Sequence, residues 1–398
     1  MFETLSPAQP DKILALIGLF RDDPRPGKLD LGVGVYKDEN GRTPVLGAVR
    51  EAEERLLSEQ DTKSYVGPAG DLMFNAAMVR LLFGSQADTS RIRACQAPGG
   101  SGALRIVLQL LRLARPAAAI WIPDPSWPNH AALVEAVGAE LRSYPYFDPA
   151  TGEVSFGAMI DAVKSARPGD VVLLQGCCHN PIGADLDPSQ WSEVADLIVE
   201  RGLFPFVDIA YQGFGDGLDA DALGLRLIAS RAPELAVAAS CSKNFGVYRD
   251  RVGAAIIVSR TATEADNAIG QLLSVTRSMY SMPPDHGAAA VRIVLDDARL
   301  RSGWETELEG MRRRMVRLRQ GFVEALQRQS NTSRFDFLAR QRGMFSRIGA
   351  TPEQVERLRM EHAVYLVGDG RINVAGLPET RLDEVAKAVV SVLDGFGC

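Results

Sequence analysis

Short apolar runs rich in β-branched residues alternate along the chain with stretches whose apolar positions recur at helical spacing. That is the pattern of an α/β sheet joined by crossover helices. Strands are predicted over 118–122, 171–175, 204–208, 235–239 and 254–258. The run Ala103 to Leu111 has a strong helix pattern and is introduced by Gly99-Gly100-Ser101-Gly102. Each of the first four strands runs into a segment carrying polar or aromatic candidates. In open α/β sheets ligands lie off the carboxyl ends of the strands, so one shared site is expected there. From Pro284 to about Gln329 the pattern is mostly helical, suited to a bridge between domains. Within it, the run from Arg312 to Arg319 reads as a solvated basic face, and Ser330-Asn331-Thr332-Ser333 reads as a loop.

Composition adds bounds to this picture. A chain of 398 residues, 46% hydrophobic, can bury a sizeable core and is expected to divide into two domains. A net charge of −6 offers no broad basic field for nucleic acid or anionic lipid, so small anions must be held by local arginines. The start, Met1-Phe2-Glu3-Thr4-Leu5-Ser6, lacks a basic segment followed by an apolar core, and no apolar run is long enough to span a bilayer. A cytoplasmic protein is expected. Five cysteines, Cys95, Cys177, Cys178, Cys241 and Cys398, form no C-x-x-C pair, and buried free thiols are expected rather than disulfides or a metal site.

Lys243 carries the most chemistry. An apolar strand delivers it into the loop Ser240-Cys241-Ser242-Lys243-Asn244-Phe245-Gly246, with Arg249 and Arg251 following. An amine whose charge is disfavoured by burial or a neighbouring cation stays neutral enough to form a Schiff base. Ser240 and Arg251, at −3 and +8, offer a hydroxyl and a fork of N–H groups to a phosphate on the aldehyde, for which pyridoxal phosphate is the obvious candidate. For this segment alone, a lysine in a solvated loop is the competing reading.

The stretch from Ser240 to Gly253 resembles the cofactor-lysine segment of the aspartate/aromatic aminotransferases, the class I, fold-type I pyridoxal-phosphate enzymes. Matching segments recur in family order from Leu31-Gly32-Val33-Gly34-Val35-Tyr36 to Gly370-Arg371-Ile372-Asn373, so the resemblance covers nearly the whole chain. It implies an α/β fold with a large cofactor domain, 43–310, whose mostly parallel sheet is flanked by helices. A smaller α/β domain is expected from 1–42 and 311–398.

The resemblance also implies roles. Asp208 would pair with the protonated pyridine nitrogen, with His130 supporting it. Tyr211 and Asn180 would donate to the ring's phenolic oxygen, and Trp127 would stack on the ring. Alone, Trp127 reads as core packing and Asn180-Pro181 as an ordinary turn, and Ile182 stands where the family usually has threonine. Gly100 and Ser101 would meet the phosphate with Ser240 and Arg251, at the positive end of a helix. Arg371 would bind the substrate's α-carboxylate as a planar fork, and Gly34, Trp127 and Asn180 would also contact substrate. Tyr65 and Arg277 match residues that reach the neighbouring subunit's site, so a homodimer with shared sites is implied.

The activity implied is ping-pong transamination through a Schiff base on Lys243, from aromatic amino acids and aspartate to 2-oxoglutarate. Met282 and Ser101 depart toward the aromatic-accepting members, whereas Val35, Lys37 and Thr43 are aspartate-like, and a strict aspartate aminotransferase is the alternative. Two other classes have less support. A hydrolase elbow at Ser101, with His286 or His362 as base, would need glycine in place of Ala103. A non-catalytic scaffold would be suggested by a missing lysine or an added DNA-binding domain, and the chain has neither.

Overall fold

The computed structural model describes residues 1–7, 12–85 and 87–394. Cys398 lies outside them. The chain forms two compact units: one contains 43–314 and 341–343, the other 1–42, 315–340 and the remainder from Met344.

The larger unit is built on a seven-stranded sheet. In chain order its strands are β1 (Ile92–Pro98), β2 (Ala119–Asp124), β3 (Glu140–Pro145), β4 (Val171–Gln175), β5 (Phe204–Ile209), β6 (Leu235–Ser240) and β7 (Val252–Val258). Their spatial order is β1-β7-β6-β5-β4-β2-β3. β3, β2, β4, β5 and β6 pair in parallel, and β7 runs antiparallel to both β6 and β1. The five predicted strands are the five interior ones. They are apolar and buried along almost their whole length because helices cover both faces of a mainly parallel sheet. The helix Gly99–Ala114 packs Leu104, Ile106, Val107 and Leu108 into the core with Leu173, Phe206 and Leu272. It begins at Gly99, so the glycine cluster forms its first turn rather than preceding it.

The smaller unit has short two-stranded pairings, Leu29–Asp30 with Val364–Tyr365 and Phe345–Arg347 with Arg371–Asn373. Its core gathers Leu31, Leu318, Phe322, Leu326, Leu358, Ile372 and Val389. The region after Pro284 is two helices, His286–Asp296 and Ala298–Ser330. The run from Arg312 to Arg319 is not the solvated basic face expected from the sequence. Arg314 and Arg319 are buried, and Arg319 donates to the carbonyls of Leu338 and Phe345 at 3.0 and 3.2 Å. A five-donor guanidinium can be buried when carbonyls satisfy it, which periodicity alone does not reveal. No helix among the described residues is long and apolar enough to cross a membrane. Cys95, Cys177, Cys178 and Cys241 are buried free thiols.

Candidate active site

Five strand ends converge on one edge of the sheet. β1 leads directly into Gly99, Gly100 and Ser101; β2 leads to Trp127; β4 leads to Asn180; β5 ends with Asp208 and Ile209, just before Tyr211; and β6 ends at Ser240, three residues before Lys243. Because β7 returns antiparallel, with Gly253 opposite Ser240, its first residues lie at the same edge and Arg251 comes back beside Gly99. A Cβ on Gly99 would lie 2.5 Å from the Arg251 guanidinium, and one on Gly253 would lie 2.6–2.7 Å from the backbone of Gly99 and Ala239. Gly99 also adopts φ +69°, which favours glycine. Bare backbone here lets a helix start, two strand ends and an arginine crowd together. Such a helix start presents N–H groups and a positive dipole end to an anion, and Ser101, Ser240 and Arg251 extend the donor set.

Lys243 is half-buried, with its Nζ 4.8 Å from the centre of the Tyr211 ring. Burial lowers its pKa to about 8; the Asp208 carboxylate pulls it upward and the Arg251 charge pushes it down. The loop is braced from a helix distant in sequence. Trp304 donates through Nε1 to the Asn244 carbonyl at 2.7 Å and stacks on Phe245 at 4.3 Å. No motif pointed to Trp304, because its partner is a backbone carbonyl and an indole pattern reads as core.

Asp208 is buried. Its Oδ2 accepts from His130 Nε2 at 2.8 Å, and the other His130 nitrogen is 2.7 Å from Ser126 Oγ. This network makes Nε2 the protonated nitrogen. Asp208 Oδ1 is buried with no hydrogen-bond partner among the described residues. An orphaned carboxylate oxygen is costly unless something with a proton meets it. Asn180 Nδ2 lies 3.5 Å from the Tyr211 hydroxyl, so these two side chains do come together. Trp127 is half-buried, edge-on to His130 at 5.3 Å.

The family profile of aminotransferase class I and II matches residues 26–389. The chain belongs to the class I and II aminotransferases. It is 47% identical over 98% of its length to the whole aromatic-amino-acid aminotransferase of Paracoccus denitrificans. It is 46% identical over 99% of its length to the whole aspartate aminotransferase of Escherichia coli strain K12. The aromatic-amino-acid aminotransferase of Burkholderia pseudomallei, solved covalently bound to pyridoxal phosphate, superposes with a TM-score of 0.96 at 43% identity, covering 99% of each chain. The aminotransferase fold is thus of type I, and its cofactor is pyridoxal phosphate. The residues fit that group: the unpartnered Asp208 oxygen suits a ring N–H, the glycine-lined helix start with Arg251 suits a phosphate, and the depressed Lys243 suits an aldehyde.

The remaining predicted residues fall into two further groups. In the smaller unit, Arg371 is buried, donates to the Gly32 carbonyl at 3.0 Å and lies over the Phe345 ring at 4.4 Å. The loop containing Gly34 is pinned beside it, since Asn373 donates to the carbonyls of Val33 and Val35, both at 2.7 Å. A Cβ on Gly34 would come within 2.9 Å of the Phe345 ring, so this loop tolerates only glycine there without rearrangement. In the larger unit, Tyr65 and Arg277 line one cleft of about 300 Å³ with Gly67, Pro68, Ser281 and Met282. Lys243, Asp208 and Tyr211 are not among its walls.

Proposed function

We propose that this aminotransferase moves amino groups from aromatic amino acids and from aspartate to 2-oxoglutarate, in a ping-pong cycle, as a cytoplasmic homodimer with shared sites. The two units correspond, on this reading, to the family's large and small domains. The observation that carries the chemistry is Lys243, an amine brought to about pKa 8 within reach of the Tyr211 ring.

Bound pyridoxal phosphate supplies an electrophilic carbon for amines and a ring that withdraws electrons from the substrate carbon. The chain's residues do the rest. Lys243 Nζ removes the proton from the substrate's Cα and later returns a proton, a task suited to a base poised near the working pH. Asp208 Oδ1 holds a proton on the pyridine nitrogen, and His130 and Ser126 keep the carboxylate oriented. Asn180 and Tyr211 donate to the phenolic oxygen, and Trp127 packs on the ring. Gly100, Ser101, Ser240 and Arg251 hold the phosphate. Arg371 grips the α-carboxylate, with Gly34 giving close approach.

Substrate range rests on Arg277 and Met282. An arginine suits a dicarboxylate side chain, and the adjoining methionine in the same cleft suits an aromatic ring. Relatives named for aromatic and for aspartate substrates are almost equally similar, so overall identity does not separate the two. A donor panel of aspartate, glutamate, phenylalanine, tyrosine and tryptophan against 2-oxoglutarate tests the reading. Phenylalanine or tyrosine should be used at least as efficiently as aspartate. A hundredfold preference for aspartate would replace it with the strict aspartate alternative. Arg277→Ala should cost dicarboxylates roughly 10- to 100-fold in kcat/KM while aromatic donors change much less.

Dimer sharing is supported by Tyr65, 91% exposed in the single chain yet aromatic, beside the exposed Arg277. Mixing Lys243→Ala with Arg277→Ala subunits should give hybrids in which one site lacks both residues and the other is intact. Dicarboxylate activity should then recover. Verified subunit exchange without recovery would count against donation of Arg277 to the partner.

A further inference from the structure

Gln175 ends β4, in register with Asp208 on β5, and it is buried. Its side-chain amide engages both backbone groups of Asn180: the Asn180 N–H donates to Oε1 at 2.9 Å, and Nε2 donates to the Asn180 carbonyl at 2.9 Å. A backbone N–H only donates and a carbonyl only accepts, so the amide's orientation is determined by chemistry rather than chosen. The remaining Nε2 hydrogen points to His179 Nε2 at 3.1 Å. That ring nitrogen must therefore accept, which places the proton of neutral His179 on Nδ1. His179 is itself held, stacked on Tyr146 at 4.1 Å and anchored through its backbone N–H to Asp185 at 2.8 Å.

From this clamp we propose that Gln175 is the positioning residue that sets Asn180, and through Asn180 the hydrogen bond offered to the cofactor's phenolic oxygen. The proposal rests on the role given to Asn180 above. A one-sided partner would not serve. Alanine leaves two buried backbone groups of Asn180 without their amide partner, and glutamate turns an acceptor oxygen toward the Asn180 carbonyl and the His179 lone pair. Glutamate is tolerated only if a proton moves onto His179 Nε2 or onto the new carboxylate.

Two readouts test it, one needing no cofactor. The chain has four histidines, so long-range ¹H–¹⁵N spectra of the cofactor-free protein can resolve His179, assigned by difference with His179→Gln. Wild type should show the Nδ1–H tautomer. The second readout is the pH midpoint of the visible band of cofactor-loaded protein. A donor to the phenolic oxygen matters most once the neighbouring nitrogen has lost its proton. Loosening Asn180 should therefore raise the midpoint, by about half a pH unit or more in Gln175→Ala and in Gln175→Glu. An Nε2–H tautomer in wild type, or a midpoint within about 0.2 unit of wild type in both variants, overturns the proposal. If wild type takes up no pyridoxal phosphate, the functional reading fails and this role falls with it, an outcome distinguishable because the tautomer is read without cofactor.

Discussion

Lys243→Ala will abolish transamination while leaving the fold and cofactor uptake largely intact. The expected loss is large because, in the role proposed for it, one side chain would serve two ends, anchoring the aldehyde and shuttling the proton at the substrate's Cα. The proton transfer alone is worth roughly 10²–10⁴-fold. The fold should survive because the loop is held by groups other than the lysine side chain. Trp304 bonds the Asn244 carbonyl, Phe245 stacks on Trp304, and the Lys243 carbonyl accepts from the Gly246 N–H at 3.0 Å, a backbone contact alanine keeps. Cofactor uptake should survive because the residues proposed to hold the phosphate and the ring are others. Single-turnover kinetics with phenylalanine and with aspartate, alongside thermal melting, provide the check. Turnover within tenfold of wild type would remove Lys243 from the role of base.

The strands that sequence reasoning identified and those it missed divide along a physical line. The five recognised strands are interior and buried on both faces, so they appear as continuous apolar runs. Within the seven-stranded sheet the two missed, Ile92–Pro98 and Glu140–Pro145, are its edge strands. Glu140–Pro145 is largely exposed and carries charge and polarity along its length, as edge strands do. The proximity of Ser240, Lys243 and Arg251 was legible for a related reason. They lie at the end of one strand and in the loop to its neighbour, so their spacing in the chain maps onto their spacing in space.

Contacts between distant segments were much less legible. His130 and Asp208 are 78 residues apart, and only the family resemblance linked them before the fold brought β2 and β5 to one edge. Trp304 had no such guide. Its hydrogen bond goes to a backbone carbonyl 60 residues away, which carries no sequence signature of its own. Arg314 and Arg319 misled in the opposite direction, because a charged residue in a helical run is solvated far more often than it is buried against carbonyls.

Asp208→Asn gives the second large effect, and its direction follows from hydrogen-bond polarity. In the structure Oδ2 accepts from His130 and Oδ1 has no hydrogen-bond partner among the described residues, and on the proposed reading it is Oδ1 that would meet the ring nitrogen. An asparagine that keeps the His130 bond must spend its only oxygen there. Its NH₂ would then occupy the position of Oδ1, a donor where an acceptor stood, and would favour the neutral form of a bound pyridine nitrogen. Electron withdrawal from the substrate carbon weakens accordingly, and kcat should fall by roughly 10²–10³-fold, the scale seen when one preorganised electrostatic contact is removed. The same change acts on Lys243 without any cofactor present. The Asp208 carboxylate is what holds the lysine's pKa up against burial and Arg251, so its loss should move the titration below the native value of about 8. Neutral amine is the reactive form, so competitive acetylation of Lys243 in cofactor-free protein, read by mass spectrometry, should reach its midpoint at lower pH in Asp208→Asn than in wild type. Arg251→Ala should shift it the other way, since a repelling charge is removed. A midpoint that stays put in Asp208→Asn, together with kcat within tenfold of wild type, would leave Asp208 as a structural partner of His130 and nothing more.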